Sequence, residues 1–373
     1  MRVALLTYST KPRGGVVHTL ALAEALARNG VDVTVWSLGR DGDGAFFRPV
    51  HPAVRLRVVP FPTVAGETVG DRLSRSIAVL GAAVAPELPS YDVVHAQDCL
   101  SANAVDGHCV RTVHHLDTFT TPQLASCHEH AIVTPHTHVC VSAAVAAELR
   151  DGWGIRARVI PSGVDAATFA AAAAAGPDAA PAREAWRRRL GEYVLAVGGI
   201  EPRKGTLQLV EAAAVLRRTH PHVRLVIAGG DTLFDYRDYR AQVDARAAEL
   251  GVEPVVLGPV PQTDLPALVA AAGVFAFPST REGFGLAAME ALAAGVPLVA
   301  SDLPVLREVF GAAAVFAVDV PTFAAALARG LDRPRDPGRI RRGLALAAAH
   351  TWEAAAAAHL DVYDALVTGS VAV

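Results

Sequence analysis

Short apolar runs alternate with helix-periodic stretches along most of the chain. Arg2–Tyr8 has the length of a buried strand, a helical pattern follows from Val16 to Arg28, and Val31–Trp36 predicts the next strand. Apolar runs of this length, separated by helices, are typical of parallel sheets whose two faces are covered. The pattern therefore predicts an α/β protein built from strand–helix–strand units.

The same alternation continues through the rest of the chain. Further strands are predicted at Val54–Val59, Tyr91–His95, Val110–His115, Tyr193–Val197, Val223–Ala228, Val255–Leu257, Val274–Phe277, Leu298–Ser301 and Leu306–Val309. Further helices are predicted at Asp71–Ala85, Tyr236–Leu250, Asp264–Ala271 and Thr351–Leu366. One stretch, Ala170–Ala182, is mostly alanine with glycine and proline, which predicts a surface insertion or a loose linker.

Length and composition narrow the class of protein. The 373 residues suit two domains of roughly 150–200 residues each. With 52% hydrophobic and 19% charged residues the chain is globular, and its net charge of −3 argues against nucleic acid as a partner. No apolar run reaches the ~20 residues of a membrane span, and the amino terminus lacks a signal-peptide pattern. Four cysteines indicate no disulfide framework, so we expect a cytoplasmic protein.

The stretch from Pro278 to Pro297 carries the clearest candidate chemistry. A Gly-Phe-Gly loop leads into an alanine- and leucine-rich helix that should start near Gly285, and Glu282 and Glu290 lie on either side of that start. A helix N-terminus directs free N–H groups and a positive dipole end at its surroundings, and phosphate is a frequent ligand there. In the simpler interpretation, Glu282 is an acidic residue at the helix start and Glu290 is a solvated helix residue.

Two glycine-containing loops at strand ends also favour anion binding. Gly14 and Gly15 precede the first predicted helix, and the loop 198–205 carries Arg203 and Lys204. Glycines allow close backbone approach to phosphate, and a cation on such a loop suits a diphosphate. Only two of the 34 basic residues are lysines, and one of them is Lys204.

Glu282, the following Gly-Phe-Gly and Glu290 together resemble the E-x7-E motif of retaining, sugar-nucleotide-dependent glycosyltransferases of family four, which have the GT-B fold. The resemblance implies two facing Rossmann-like domains with a ligand cleft between them. The first would comprise residues 1–163, completed by a carboxy-terminal helix at about 354–373, and the second residues 164–353. The stretch Arg158–Asp165 resembles the family's passage between the two domains.

The resemblance also assigns roles to residues. Glu282 and His114 would contact the transferred sugar, Glu290 would hold the ribose hydroxyls, and Lys204 would neutralise the leaving diphosphate. His114, Lys204 and Glu282 are thus the implied catalytic residues. The implied donor-binding residues are Gly14, Gly15, Arg203, Lys204, Leu257, Gly283, Phe284, Gly285, Leu286 and Glu290.

The chain departs from the family pattern at two positions. Gly199 stands where many relatives have an arginine, which removes one cation expected near the phosphates; Arg203 is the adjacent candidate to replace it. His115 stands where relatives often have aspartate. Because of Gly199, a non-catalytic sugar-nucleotide-binding protein remains an alternative, as does another GT-B enzyme such as a sugar-nucleotide epimerase.

The implied reaction is transfer of a sugar from a nucleotide-diphosphate sugar, with UDP-sugars the commonest donors in the family, to an acceptor hydroxyl with retained configuration. The acceptor is a small molecule, glycan or lipid that the sequence does not identify; the loops around residues 10–13, 40–47, 61–70 and 116–121 would select it. Neither cofactor nor metal is expected. The Cys127–Cys140 segment is rich in histidine and cysteine, but its spacing matches no common zinc pattern. Arg72 and Arg75 on one predicted helix are compatible with peripheral membrane contact.

Overall fold

The computed structural model describes residues 1–117, 119, 121–229, 236–332 and 336–369. The chain forms two compact units. The amino-terminal unit contains residues 1–163 and the last helix, which begins at Trp352, and the carboxy-terminal unit contains residues Val164–Thr351. The last helix is therefore separated in sequence from the unit to which it belongs.

Both units are built from parallel strands and helices. The strands are Arg2–Leu6 (β1), Asp32–Arg40 (β2), Arg55–Phe61 (β3), Val93–Ala96 (β4), Val110–Val113 (β5), Thr137–Cys140 (β6), Arg158–Val159 (β7), Tyr193–Val197 (β8), Arg224–Ala228 (β9), Val255–Gly258 (β10), Val274–Phe277 (β11), Leu298–Ser301 (β12) and Ala314–Ala317 (β13). The helices are Gly14–Arg28 (α1), Val69–Val84 (α2), Cys99–Ala104 (α3), Pro122–Val133 (α4), Ala143–Trp153 (α5), Ala166–Ala173 (α6), Ala180–Leu190 (α7), Thr206–Leu216 (α8), Arg237–Glu249 (α9), Leu265–Ala271 (α10), Leu286–Ala293 (α11), Pro304–Phe310 (α12), Val320–Leu331 (α13), Pro337–Ala349 (α14) and Trp352–Thr368 (α15).

The amino-terminal unit has a seven-stranded sheet in the order β3-β2-β1-β4-β5-β6-β7, and all its strand pairs are parallel. Its interior strand β1 is buried from Val3 to Leu6. Such continuous apolar strands need cover on both faces, and helices provide it. α2 begins with a capping box formed by Thr68 and Asp71, and α5 ends at Gly154, whose left-handed backbone suits a helix C-terminus.

The carboxy-terminal unit has a six-stranded parallel sheet in the order β10-β9-β8-β11-β12-β13. Its core joins the faces of α8 and α13 to the central strands, with Leu209, Val274 and Leu327 almost completely buried. The α/β prediction of parallel sheets covered by helices is thereby confirmed.

Each sheet has one point where the strand order reverses. In the amino-terminal unit it lies between β1 and β4, and in the carboxy-terminal unit between β8 and β11. Loops that leave neighbouring strands on opposite sides of a sheet open a crevice at such a point, and ligands of open α/β sheets bind there. The loops after β8 and β11 are the two that carry Lys204 and Glu282.

Three local predictions were wrong. Ala170–Ala182 is helical at both ends, since α6 extends to Ala173 and α7 starts at Ala180, and only residues 174–179 form a loop; alanine is the strongest helix former, and Asp165 caps α6 by accepting from the Thr168 amide. Leu306–Val309 lies in the helix α12, which Pro304 starts and Gly311 ends. Gly14 and Gly15 do not precede α1 but form its first two residues.

Among the described residues, none of the helices combines the length and apolar character needed to cross a membrane.

Candidate functional site

Lys204 and Glu282 meet where the strand order of the carboxy-terminal sheet reverses. The Lys204 Nζ lies 2.5 Å from Glu282 Oε1, and the Ser279 hydroxyl donates a hydrogen bond of 2.9 Å to the same oxygen. Only 19% of the lysine side chain and 8% of the glutamate side chain are exposed. A charged pair this well shielded keeps much of its electrostatic strength, so the two side chains fix one another's positions.

Glycine allows the two loops to approach each other. Gly205 has φ +64°, and a Cβ at this position would overlap the carbonyl oxygen of Pro278. The Thr280 amide also donates to the Arg203 carbonyl oxygen at 2.8 Å. The backbones of the loops after β8 and β11 are therefore in direct contact, which holds Lys204 opposite Glu282.

Arg203 adds a second cation to this site. Its Nη2 lies 2.8 Å from Glu201 Oε1, and its Nη1 lies 3.6 Å from Glu282 Oε1. The side chain is 30% exposed, more than that of Lys204. Two cations and two carboxylates thus share a small volume, and an arriving diphosphate would find both cations within one cluster.

A small pocket opens beside the lysine. Its lining includes Gly198, Gly199, Thr206 and Ser279, and the Lys204 Nζ lies 5.2 Å from the centre of the Phe277 ring. Gly199, for which the family resemblance predicts an arginine, therefore lines the pocket. Because glycine has no side chain, backbone groups form this part of the pocket wall, next to Lys204.

The N-terminus of α11 and Glu290 extend the site. Gly285 has φ +92° and precedes Leu286, the first residue of the helix; a Cβ there would press on the rings of Phe310 and Phe277. Gly283 and Phe284 in the same loop are buried, which leaves their amides in a fixed arrangement.

Glu290 is partly buried one turn into α11. Burial, together with the negative charge of Asp165, raises the pKa of Glu290 to about 8. No basic side chain forms an ion pair with it in the described part of the chain. A carboxylate in this position is available to accept hydrogen bonds from a bound ligand.

Leu257, another predicted donor residue, lies in a different strand from the residues above. Leu257 lies near the end of β10, the edge strand of the sheet, two strands away from β8. It is half-buried. Its assignment to base binding remains a prediction.

Gly15 and His114 come together in the amino-terminal unit, and Gly14 precedes Gly15 as the first residue of α1. A Cβ on Gly15 would lie 3.8 Å from the His114 ring, and His114 Nε2 lies 3.3 Å from Gln97 Oε1. Burial and the nearby Arg111 charge keep the pKa of His114 well below its ordinary value, so the ring is neutral at pH 7. Its neighbour His115 pairs with Asp117 at 2.9 Å.

A cluster of buried histidines adjoins His114 and was not predicted. His18 lies 4.8 Å from His114 between ring centres, His95 bonds Tyr363 at 2.6 Å through Nδ1, and His359 packs against both His18 and His95. Burial lowers the pKa of His18 and His95 well below the usual value and that of His359 to about 4. The members come from α1, β4 and α15, so no local motif signals them.

The histidines and cysteines of Cys127–Cys140 have local partners. His130 bonds Asn103 at 2.8 Å, and His138 Nε2 lies 2.8 Å from the Ile132 carbonyl oxygen. No group of three or more histidine, cysteine or acidic side chains is arranged to hold a metal ion within the ranges that the structure covers.

Three other predicted features lie in the amino-terminal unit. Lys11 pairs with Asp43 at 2.7 Å. Arg75 pairs with Glu67 at 2.6 Å and lies over the Phe61 ring, so it is engaged within the protein. The predicted acceptor loop at residues 116–121 includes residues 118 and 120, which lie outside the described residues.

Comparisons with known proteins agree with the fold. Residues 12–168 match the family model "Glycosyltransferase Family 4", and residues 183–338 match "Glycosyl transferases group 1". The chain is 31% identical to a D-inositol 3-phosphate glycosyltransferase of Acidothermus cellulolyticus, covering 98% of this chain and 90% of that protein. It is 30% identical to a phosphatidyl-myo-inositol mannosyltransferase of Mycobacterium tuberculosis, covering 99% and 98%.

A solved structure with the same fold is that of the Anabaena protein HepE in complex with UDP and glucose. Its TM-score is 0.76 at 21% identity, over 98% of this chain and 99% of that chain. The protein is thus an enzyme of the GT-B glycosyltransferase class. It belongs to the family-four, group 1 glycosyltransferases.

Proposed function

We propose that the protein transfers a sugar from a nucleotide-diphosphate sugar to an acceptor hydroxyl and retains the anomeric configuration. The observation that carries the proposal is the Lys204–Glu282 pair at the reversal point of the carboxy-terminal sheet, one short loop away from the N-terminus of α11. This arrangement combines cations, helix amides and a carboxylate in one unit, as cleavage of a sugar–diphosphate bond requires.

Lys204 and Arg203 carry the proposed electrostatic role. As the sugar–oxygen bond breaks, negative charge grows on the departing diphosphate and positive charge on the sugar ring. The two cations and the amides of residues 283–286 stabilise the diphosphate. Arg203 replaces the cation that Gly199 removes, because it is the charged side chain nearest to Lys204 in sequence and shares its carboxylate partner.

Glu282 and Glu290 contact the donor at its two ends. The Glu282 carboxylate stays paired with Lys204 and accepts hydroxyl groups of the transferred sugar. Glu290 accepts hydrogen bonds from the ribose hydroxyls. His114 contacts the same sugar as a neutral ring, with Gly14 and Gly15 beside it; this role rests on the family resemblance. No protein nucleophile is invoked.

UDP-sugars are the proposed donors, and the UDP and glucose bound to HepE support this choice. The inositol phosphates in the names of two relatives make phosphorylated inositols the first acceptors to test. The non-catalytic alternative depends on Gly199, and a product assay distinguishes this alternative from catalysis.

The test is a product assay with purified protein. UDP-, GDP-, ADP- and dTDP-sugars are each incubated with inositol phosphates and with unphosphorylated sugars and polyols, and new glycosides are detected by mass spectrometry. We expect one donor class to yield product, with the same anomeric configuration as the donor by NMR, and Lys204→Ala to abolish it. A product of inverted configuration would refute retention. If the protein binds nucleotide tightly but releases none from any donor, the non-catalytic alternative is favoured.

A further inference from the structure

Gln97 is a buried glutamine at the point where the strand order of the amino-terminal sheet reverses. It directly follows β4, and its backbone amide donates to the carbonyl oxygen of Leu6, the last residue of β1, at 3.0 Å. β1 and β4 are the two strands between which the order reverses. Ligands of open α/β sheets bind beyond the carboxyl ends of such strands, so Gln97 lies where a ligand is expected.

Within the described part of the chain, the side-chain amide of Gln97 has a single hydrogen-bond partner, the ring of His114. The Gln97 Oε1 lies 3.3 Å from His114 Nε2, whereas the Gln97 Nε2 is buried without a partner among the described residues. Only 1% of Gln97 is exposed. A buried amide with an unpaired donor lowers stability, and an apolar side chain of the same length would fill the space without this cost. Packing alone therefore does not account for a glutamine here.

The contact with Gln97 defines which nitrogen of His114 carries the proton. An imidazole is mostly neutral at pH 7.5 even when unperturbed, and burial together with the charge of Arg111 lowers the pKa of His114 further. The neutral ring has one N–H group, and an amide oxygen can only accept a hydrogen bond. The proton is therefore on Nε2, which faces the Gln97 Oε1, and Nδ1 carries a lone pair.

The packing around the His114 ring leaves Nδ1 for a ligand. A Cβ on Gly15 would lie 3.8 Å from both Nε2 and Cδ2, so this edge of the ring faces the first turn of α1. The ring of His18 packs edge to face on His114, with 4.8 Å between the ring centres. Nδ1 is the ring atom opposite the Nε2–Cδ2 edge, and it has no hydrogen-bond partner in the described ranges. Because His114 is partly exposed, this nitrogen is available to a bound molecule.

We propose that Gln97 is a positioning residue for sugar transfer: it holds His114 in the Nε2–H tautomer, so that Nδ1 accepts a hydrogen bond from a hydroxyl group of the transferred sugar. The inference rests on the proposed function, in which His114 contacts this sugar. A ring with its proton on Nδ1 would present a donor at the place where an acceptor is needed. The partner of one ring nitrogen sets the tautomer and the orientation of functional histidines in this way.

The tautomer is measured in the free, full-length protein by NMR, with isotope-labelled histidine. Long-range proton–nitrogen correlation spectra distinguish a protonated from an unprotonated ring nitrogen by its chemical shift, and the variant His114→Asn identifies the signals of His114. At pH 7.5 we expect Nε2 to be protonated and Nδ1 to be unprotonated. A proton on Nδ1, or an equal mixture of the two tautomers, would overturn the proposal.

The variant Gln97→Met removes the amide and keeps the length of the side chain. The Nδ1–H tautomer of His114 should then appear in the spectrum. The kcat of sugar transfer should fall by roughly tenfold or more, as it does when the partner that orients a functional histidine is removed. The urea midpoint should match that of the parent, because the amide leaves a buried donor unpaired. The affinity for UDP should also match, because the proposed nucleotide contacts lie in the carboxy-terminal unit.

Gln242→Met is the matched control. Gln242 is an exposed residue of α9 in the other unit, so the same substitution there should change neither the His114 tautomer nor kcat. If Gln97→Met keeps the Nε2–H tautomer, or changes the tautomer while its kcat stays equal to that of Gln242→Met, Gln97 does not position His114 for the reaction.

The two measurements separate this inference from the proposed function. If no donor yields product in the screen, the proposed function fails, and the role of Gln97 in it fails as well, whichever tautomer His114 has. If product forms while His114 of the parent carries its proton on Nδ1, the transferase activity stands and only the role of Gln97 is rejected.

Discussion

Lys204 is held between a carboxylate and an aromatic ring, and both contacts keep it in one place. Its Nζ touches Glu282 at 2.5 Å and lies 5.2 Å from the centre of the Phe277 ring. A cation that is positioned before the substrate arrives stabilises developing charge without reorganisation, which is the usual source of electrostatic catalysis. The other lysine, Lys11, has a 55% exposed side chain in a surface pair with Asp43.

Lys204→Ala should therefore lower kcat by roughly 100- to 1000-fold, as the loss of one preorganised charge contact does. Lys11→Ala is the matched control, because it removes the only other lysine and should leave kcat within about two- to threefold. Steady-state kinetics with the donor found in the product screen measure both. Equal losses in the two variants would mean that neither lysine has a particular place in the reaction.

Glu290 predicts a pH dependence of nucleotide binding. With a pKa of about 8 in the free protein, Glu290 is mostly protonated at pH 7 and must lose its proton to accept two ribose hydroxyls. Below pH 8 the affinity for UDP should rise by up to about tenfold per pH unit and level off above it, since one pKa unit corresponds to about 1.4 kcal/mol. Titration calorimetry at pH 6.5, 7.5 and 8.5 measures this.

Glu290→Gln supplies the control for that titration. The amide cannot ionise, so the remaining pH dependence belongs to the diphosphate and to other groups. If the parent and the variant show the same pH dependence, ionisation of Glu290 is not linked to nucleotide binding.

The buried histidines predict a loss of stability in acid. His359 has a folded-state pKa of about 4 and an unfolded value near 6.5, so between these values the unfolded chain binds more protons and stability falls as the pH falls. The full effect for this residue is about 3 kcal/mol. Asp98, whose pKa burial raises to about 6, opposes the trend in the same unit.

His359→Asn isolates this contribution. Urea titrations give the free energy of unfolding at pH 7.5 and pH 5. Between these pH values, the parent should lose about 2 kcal/mol more of this free energy than the variant. Stability lost equally at both pH values would mean that His359 contributes by packing alone.

At the scale of elements, the contact between the loops after β8 and β11 determines where Lys204 lies. Gly205 has a positive φ and no room for a Cβ, because the Pro278 carbonyl oxygen fills that space. Gly251 has almost the same φ, +63°, but only a flexible Arg217 side chain nearby at 3.8 Å. Substitution by alanine therefore causes similar backbone strain at both glycines, but only at Gly205 does the new Cβ clash with a carbonyl oxygen.

Gly205→Ala should cost at least about 2 kcal/mol more stability than Gly251→Ala, and it alone should weaken UDP binding, because the loops must separate. Urea unfolding and calorimetry of both variants provide the comparison. Similar losses of stability, with nucleotide binding retained in both, would show that the loop contact does not position the site.

The elements that the sequence predicted best are the buried central strands. Tyr193–Val197, Val274–Phe277 and Leu298–Ser301 match β8, β11 and β12 at both ends, because full burial requires an uninterrupted apolar run. The failures have physical causes as well. Low complexity at Ala170–Ala182 concealed two alanine-rich helices, and the short apolar run in α12 fits a strand or a helix equally until its Pro304 and Gly311 boundaries are weighed.

At the scale of the whole molecule, the two units differ in how far the sequence reveals their sites. In the carboxy-terminal unit, a local motif and a glycine loop named Glu282 and Lys204, and the strand order brings them together. In the amino-terminal unit, the histidine cluster beside His114 draws on α1, β4 and α15, and α15 lies more than 250 positions after the other two elements. Only tertiary structure reveals that cluster.

The central claim is that Lys204 and Glu290 serve one nucleotide site from different sides. The most direct test is calorimetric titration of the parent, Lys204→Ala and Glu290→Gln with uridine, UDP and 2′-deoxy-UDP. Lys204→Ala should lose most of the advantage of UDP over uridine, whereas Glu290→Gln should lose the advantage of UDP over 2′-deoxy-UDP. If neither preference changes in its own variant, or if the parent binds no nucleotide at millimolar concentration, the proposed site is wrong.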